Sequence, residues 1–533
     1  MTSLPWYHKT SIYQIYPRSF YDSNGDGIGD LQGIIQKLDY LHELGFETLW
    51  ISPFFSSPQA DFGYDISNYT DIAREYGTMG DALQLIDEVH KRDMRIVFDM
   101  VMNHTSDQHS WFTESRSSRD NPKSNWYLWR DKPNNWMSVT GGSGWHYAPE
   151  RGQYYWASFL PFQPDLNYRN PEVKRTMLDM IRFWLGKGVD GFRLDIFNYI
   201  FKGADFQNNP FSFKLFPTEE DYSGFFQEAK FTANLPENFE FAKEFRSVCE
   251  EFGERLSIGE VSGSKKTLRK FLGDETNNGL TLVFDFKMMN FRFKADYFKN
   301  LIREMETHYP DPFIPVYVFS NHDKARSIER IGGDMRKAKL LALLQLTVRG
   351  VPCLYYGEEI GMTDSRLPFR TALDPIPHKF PFLPRFITDR LGVLINRDEV
   401  RTPMQWDTTR SAGFSSSQTT WLPVHENHNL RNVEKESAEK GSLLNTIRAV
   451  MKIRNQEIVL QEGSLHLLEN LPKGVLGYVR KFNNQRVFIL MNFDEHEKEF
   501  PFEFSEFMYK VSERDVSKGK AIRLDGFGGV ILS

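Results

Sequence analysis

Eight short runs of apolar, β-branched and aromatic residues punctuate the chain: "IYQIYP", "TLWISPF", "RIVFDMV", "GFRLDI", "LSIGEV", "LTLVFDF", "VYVFSN" and "CLYYG". Amphipathic stretches of helical period lie between them. Alternation of strand with helix is what parallel strands joined by crossover helices require, and eight strands close a βα barrel. Near-continuous apolarity within the runs fits strands covered on both faces. The stretch before the fourth run predicts its helix in detail. Val173, Met177, Met180, Ile181 and Trp184 share one face at spacings of three and four, with Asn170 suited to the N-cap and Pro171 to the first turn.

Three segments break this rhythm. Between His104 and Asn170 lie six of the eleven tryptophans (Trp111, Trp126, Trp129, Trp136, Trp145 and Trp156), with polar turns and little helical pattern. This reads as a subdomain inserted after the third strand. A Pro- and Arg-rich excursion from about Asp364 to Phe414 follows the eighth strand and is too long for an ordinary connection, so an ordered lobe at the barrel mouth is expected. After Gly463 the pattern changes to short alternating strands, "GVLGYVRKF" and "RVFILMNF", without helices between them. The predicted class is therefore α/β: a (β/α)8 TIM barrel (residues 1–104 and 170–460), an inserted subdomain (105–169) and a C-terminal antiparallel β-sandwich (461–533).

Composition narrows the function. A formal net charge of −6 on 533 residues, without a long basic run, points to neither a nucleic-acid backbone nor an anionic membrane as partner. No stretch approaches the ~20 apolar residues of a membrane span. The N-terminus lacks the cationic start and apolar core of a secretion signal, so a cytoplasmic protein is expected. Cys249 and Cys353 are the only cysteines and lie in apolar or helical stretches, which excludes a disulfide framework.

In a βα barrel the C-terminal ends of the strands converge on one face, where chemistry is built. This chain places Asp99, Asn103 and His104 after the third strand and Arg193 and Asp195 on the fourth. Glu260 ends the fifth, and His322 and Asp323 end the seventh. Arg193 and Asp195 are two apart on a strand, so their side chains share a face. A single acid at a strand end is more often a cap or a solvated loop residue; a whole cluster is costly to bury without a use. Two carboxylates ~5–5.5 Å apart can cleave a glycosidic bond with retention of configuration. That chemistry needs no redox or organic cofactor. Aromatic residues, 15% of the chain, would supply flat faces for sugar rings, although most must be core.

These residues and their order resemble the α-amylase superfamily of glycoside hydrolases, and within it the α-glucosidase and oligo-1,6-glucosidase branch. The resemblance runs from "YQIYPRSFYDSNGDGIGDL" through "GYDISNY", "QPDLN" and "YYGEEIGM" to "RTPMQWD". It implies Asp195 as nucleophile, Glu260 as general acid/base and Asp323 as the third carboxylate gripping the sugar. His104 and His322 resemble hydroxyl-binding histidines, and Arg193 the arginine that orients the nucleophile. Asp61, Tyr64 and Arg401 match residues that close the pocket around a terminal glucose, and Phe159 and Gln163 match contacts around "QPDLN". Asp99 resembles a support beneath the site. Physical reasoning adds that Glu260 must start protonated and Asp195 ionised beside Arg193.

In "DSNGDGIGD", Asp22, Asn24, Asp26 and Asp30 offer oxygens at alternate positions, Gly27 permits the sharp turn and Ile28 offers a carbonyl. A sensor loop would end in glutamate where this chain has Gly33, and a strand rather than a helix precedes it. The resemblance implies a structural divalent cation here, calcium being expected. The partner it implies is a short oligosaccharide or α-glucoside. Ile196, after the implied nucleophile, leans toward α-1,6 tolerance. Related members pass the glucosyl group to a sugar, as transferases or as trehalose- and sucrose-type isomerases; "KARSIERIGG" lacks the Arg–Asp-rich motif of the sucrose isomerases. Transporter-associated proteins of similar fold are non-catalytic partners and need a membrane span ahead of the barrel, which is not expected here.

Overall fold

The computed structural model describes residues 4–215, 218, 223–380, 385, 388, 394–518 and 520–533. All eight expected runs form strands: β1 Ile12–Ile15, β2 Thr48–Ile51, β3 Arg95–Val101, β4 Gly191–Asp195, β5 Leu256–Gly259, β6 Leu282–Val283, β7 Val316–Val318 and β8 Val351–Tyr355. They make one parallel sheet in the order β6-β5-β4-β3-β2-β1-β8-β7, so the sheet curls until its ends, β6 and β7, approach each other. Among the described residues no ladder joins those two. β6 stops early because the Asp285 side chain accepts the Lys287 N–H at 3.2 Å and opens a 3-10 turn over Phe286–Asn290. The turn in turn supplies Met288, whose Sδ lies 3.2 Å from the Val318 amide on β7.

The helix Pro171–Gly186 shows why pattern reading works in this fold. Asn170 caps it by accepting the Glu172 N–H, Pro171 opens it, and Val173, Met177, Ile181 and Trp184 are buried as expected. Met180 lies at the edge of that face and is only half-buried. Leu178 and Leu185 widen the buried stripe.

Between β3 and this helix, strands Trp129–Arg130, Trp145–Ala148 and Gln153–Trp156 form a three-stranded antiparallel sheet. Trp136, Trp145 and Trp156 pack with Leu128 into a small core, so most of the tryptophans here are packing groups. The helix Ser110–Ser117 escapes the sequence pattern because it is short and buries only Phe112 and Ser115. The C-terminal region is a five-stranded and a three-stranded antiparallel sheet. Val475, Leu490, Val530 and Leu532 of the first meet Phe500, Ile522 and Leu524 of the second in one apolar layer, as a sandwich requires. In the expected lobe after β8 the described residues form 3-10 turns, Phe369–Thr371, Pro377–Lys379 and Arg397–Val400. Positions 381–384, 386, 387 and 389–393 of that lobe lie outside the described residues.

Candidate active site

Strand register sets the centre of the site. In the β3–β4 ladder Asp99 stands opposite Arg193 and Val101 opposite Asp195, and parallel neighbours in register point their side chains the same way. Arg193 is fully buried and its guanidinium binds three carboxylates. Nη1 donates to Asp99 Oδ1 at 2.8 Å and to Asp195 Oδ1 at 2.8 Å, and Nη2 donates to Glu260 Oε2. Glu260 is held at the end of β5 by backbone bonds: its N–H donates to Leu194 O at 2.8 Å and its carbonyl accepts the Phe197 N–H at 2.9 Å.

Three buried acids around one cation cannot all stay ionised at low cost. Burial raises Asp99 to about 6 against the pull of Arg193. Burial also raises Asp195 well above the ordinary carboxylate range; Arg193 opposes the shift, while Glu260 and Asp99 add to it. The same guanidinium is shared by three carboxylates, which dilutes its pull on Asp195 alone.

Tyr64 and His322 cover this centre. Their rings lie parallel, 5.4 Å apart at 1°, and the Tyr64 hydroxyl lies 2.6 Å from His322 Nε2 and 3.1 Å from Asp99 Oδ2. Gln14, a polar residue in the middle of β1, donates to His322 Nδ1 at 2.8 Å. A ring that accepts there and is pushed down to about 3 by burial is neutral and carries its proton on Nε2. His104 also stays neutral through burial; its Nε2 faces the Tyr64 carbonyl at 3.0 Å. The Phe159 ring stands 5.9 Å from that of His104, and Gln163 donates to Asp61 Oδ2 at 3.0 Å.

Asp323 differs from the other acids. Burial alone would raise it, but the guanidinium groups of Arg397, Arg401 and Arg193 hold its carboxyl far below the usual range, with the neutral His322 ring 3.2 Å from its Oδ2. Arg401 does this from behind: it is fully buried, donating to Asp323 Oδ1 at 2.7 Å and to the His322 carbonyl at 2.9 Å. Arg397 pairs with Asp61 at 2.6 Å, Asp374 at 2.8 Å and Asp323 at 3.3 Å. It opens the 3-10 turn Arg397–Val400 and Arg401 caps its end, so both arginines reach Asp323. Two arginines four apart in "RDEVR" were the available signal, and the sequence reading used only the second. Gln14, a lone polar residue within an apolar strand, was a signal also left unused.

The Asp22–Asp30 loop is hydrogen-bonded to itself. Asp22 accepts the amides of Asn24, Gly25 and Gly27 at 3.1, 2.7 and 2.7 Å. Asn24 accepts that of Asp26, and Asp26 that of Ile28. Asp30 turns away to cap the helix Leu31–Gln36 through Gly33 N–H and to bind Ser23. Gly33 is obligatory, since a Cβ there would lie 1.9 Å from Tyr21 O. The oxygen donors suit a hard cation by type, but no group of three His, Cys, Asp or Glu placed to hold a metal occurs among the described residues.

A model of the α-amylase catalytic domain matches residues 14–463. The chain belongs to the α-amylase family of glycoside hydrolases. This α-amylase-family chain is 39% identical over 518 residues to a protein named "Probable alpha-glucosidase" from Rhizobium meliloti, covering 93% of this chain and 91% of that one. It is 36% identical to an oligo-1,6-glucosidase of Parageobacillus thermoglucosidasius, covering 92% and 91%. Among solved structures, an α-glucosyl transfer enzyme superposes with a TM-score of 0.88 at 36% identity over 99% of each chain. No helix among the described residues is long and apolar enough to cross a membrane.

Proposed function

We propose that the enzyme is a retaining, exo-acting α-glucosidase that removes terminal α-linked glucose from short oligosaccharides or α-glucosides, with tolerance for α-1,6 bonds. The observation that carries this is that the Asp195 and Glu260 carboxyls both bind the one guanidinium of Arg193, which holds them close together. An inverting enzyme needs the two acids ~6.5–9.5 Å apart to admit water between them, whereas retention uses the closer pair.

Asp195 attacks the anomeric carbon as a carboxylate. A glycosyl–oxygen bond to Asp195 forms as the glycosidic bond breaks, and the leaving oxygen takes a proton from Glu260. In this step Glu260 enters protonated and Asp195 enters as the carboxylate beside Arg193. Water then gives its proton to Glu260 and displaces Asp195, returning glucose in the α configuration. Arg193 keeps both acids aligned. Asp323, held ionised by Arg397 and Arg401, grips sugar hydroxyls, as do neutral His104 and His322. Tyr64 and Phe159 offer ring faces, and Gln163 orients Asp61. The Asp61–Arg397 pair closes the glucose pocket at its blind end, which favours short substrates. The Asp22–Asp30 loop is proposed to take a structural divalent cation, calcium by its donor type, with no part in the reaction.

Proton NMR of the pure enzyme with isomaltose, maltose, sucrose and trehalose in separate tubes tests this. Early α-glucose, fastest from isomaltose, is the expected result; β-glucose as first product would overturn retention. Intact new disaccharides instead of glucose would favour transfer, a reading supported by the likeness to an α-glucosyl transfer enzyme.

A further inference from the structure

Asp61 and Tyr64 stand at the two ends of one tight turn. The Tyr64 N–H donates to Asp61 O at 3.1 Å, and both residues between them are left-handed, Phe62 at φ 48° and Gly63 at φ 101°. Positive φ at both central positions is the pattern of a type I′ turn, for which Asn-Gly is a favoured pair. This chain has Phe-Gly instead. A bulky residue stays in the left-handed region only where its surroundings over-determine it. The turn that aims two residues of the glucose pocket therefore needs a hold from outside itself, and the Phe62 ring offers the place to grip.

That hold comes from side chains with no part in the reaction. The Trp421 ring meets the Phe62 ring at 5.2 Å and 63°. The Arg18 guanidinium lies 5.5 Å from the Phe62 ring and 5.0 Å from that of Trp421, where a cation is drawn to an aromatic face. Phe62 is buried as a result. Trp421 is itself fixed. Its indole N–H donates to Ser19 Oγ at 3.1 Å, its backbone N–H donates to Gly27 O at 3.0 Å, and its ring rests on buried Tyr16 at 6.1 Å and 25°. The segment that carries it is seated on the Asp22–Asp30 loop: the Asp22 N–H donates to Phe414 O at 2.9 Å, and Ser415 Oγ donates to the Asp22 carboxylate. A segment close to 360 residues further along the chain thus reaches back to brace the Asp61–Tyr64 turn.

We propose that Trp421 is a positioning residue for the glucose pocket: with Arg18 it clamps the Phe62 ring, keeps the Asp61–Tyr64 turn left-handed and so sets where Asp61 and Tyr64 meet the sugar. The inference rests on the α-glucosidase reading for the identity of that sugar. The partners of Trp421 named above do not include Asp195 or Glu260, so its loss falls on binding more than on bond cleavage.

Trp421→Ala and Phe62→Asn, singly and together, test it, with kcat and KM measured on isomaltose. Trp421→Ala should lower kcat/KM about twentyfold, mostly through KM, with kcat within about threefold of wild type. Asparagine takes the left-handed turn without a clamp, so Phe62→Asn should stay within about threefold of wild type, and adding Trp421→Ala to it should cost no more than about threefold further. Trp421→Phe keeps a ring against Phe62 and should recover kcat/KM to within about fivefold. An unchanged kcat/KM in Trp421→Ala overturns the proposal. So does a loss carried by kcat, or one that persists undiminished beside Phe62→Asn. If Trp421→Ala does not fold, Trp421→Leu keeps apolar bulk without a ring and is read the same way. Calorimetric binding of D-glucose separates the clamp from the reaction assignment. If wild type hydrolyses no glucoside, the glucosidase reading falls, and weaker glucose binding by Trp421→Ala than by wild type still upholds the clamp. Equal binding by the two proteins in that case overturns it.

Discussion

Arg193 and Arg480 are both fully buried, yet their surroundings are opposite. Arg193 binds three carboxylates at the barrel mouth. Arg480 sits at the seam with the C-terminal sheets and donates only to carbonyls, Thr347 O at 2.8 Å and Gly463 O at 2.8 Å. Arg454 beside it does the same with Leu346 O at 3.0 Å and Gly350 O at 2.9 Å. Burial pushes Arg480 down to about 9 and Arg454 to about 10. At Arg193, the carboxylates outweigh burial and its charge is secured. The seam arginines satisfy the orphan carbonyls where the helix Met335–Thr347 ends, a purely structural task. At the mouth, by contrast, a surplus of negative charge is stored around one cation, and a proton must remain among the acids. The same side chain therefore meets backbone dipoles at the seam and competing charges at the mouth.

The largest expected effect removes the chemistry and leaves the architecture. Asp195→Asn should lower kcat at least ~10⁴-fold with the fold intact, measured on isomaltose with deamidation excluded by mass spectrometry. Retention of a tenth of the activity would remove Asp195 from the nucleophile role.

Next comes the contrast itself. Arg193→Leu leaves three buried acids without a counter-ion and should cost ~3–5 kcal/mol of stability along with all activity. Arg480→Leu strands only carbonyls and should cost ~1–3 kcal/mol while kcat/KM is kept. Urea unfolding with parallel assays reads both, and equal stability losses would erase the distinction drawn between the two sites.

The fold was legible because its signals are periodic. Eight strands and the Pro171–Gly186 helix follow from apolar spacing and one capping pair, Asn170 with Pro171. Asp99, Arg193, Asp195 and Glu260 could be grouped in advance because strand ends converge and alternate residues share a face. What could not be read depends on distant charges. Asp99 and Glu260 reach the Arg193 guanidinium from other strands, which spacing within one strand does not reveal. Arg397 lies in a 3-10 turn, which helical or strand periodicity does not reveal either.

Smaller effects follow from buried histidines. His109 caps the helix Ser110–Ser117 by accepting the Trp111 N–H at 3.1 Å, and burial lowers it to about 4. Its folded value lies below the unfolded ~6.5, so its contribution is present above pH ~6.5 and is lost as pH falls toward 4, up to about 3 kcal/mol. His109→Asn keeps a capping oxygen without titrating, so its melting temperature should fall less than wild type between those pH values. Parallel curves for the two proteins would show that the cap does not titrate. The smallest expected effect is at the Asp22–Asp30 loop, whose carboxylates already bind backbone amides. Strong chelator should lower the melting temperature by roughly 2–4 °C, about 1 kcal/mol, with calcium found by elemental analysis. No bound metal and unchanged melting would leave the loop a self-sufficient turn.

In the proposed reaction, one of the two carboxyls held on Arg193 attacks carbon while the other manages the proton. Incubation with 5-fluoro-α-glucosyl fluoride, whose glycosyl-enzyme hydrolyses slowly, followed by peptide mass spectrometry, tests it most directly. The account predicts a fluoroglucosyl ester on Asp195 and none in Glu260→Gln that maps elsewhere. A label on Glu260, or steady turnover with no covalent adduct and β-configured product, would contradict it.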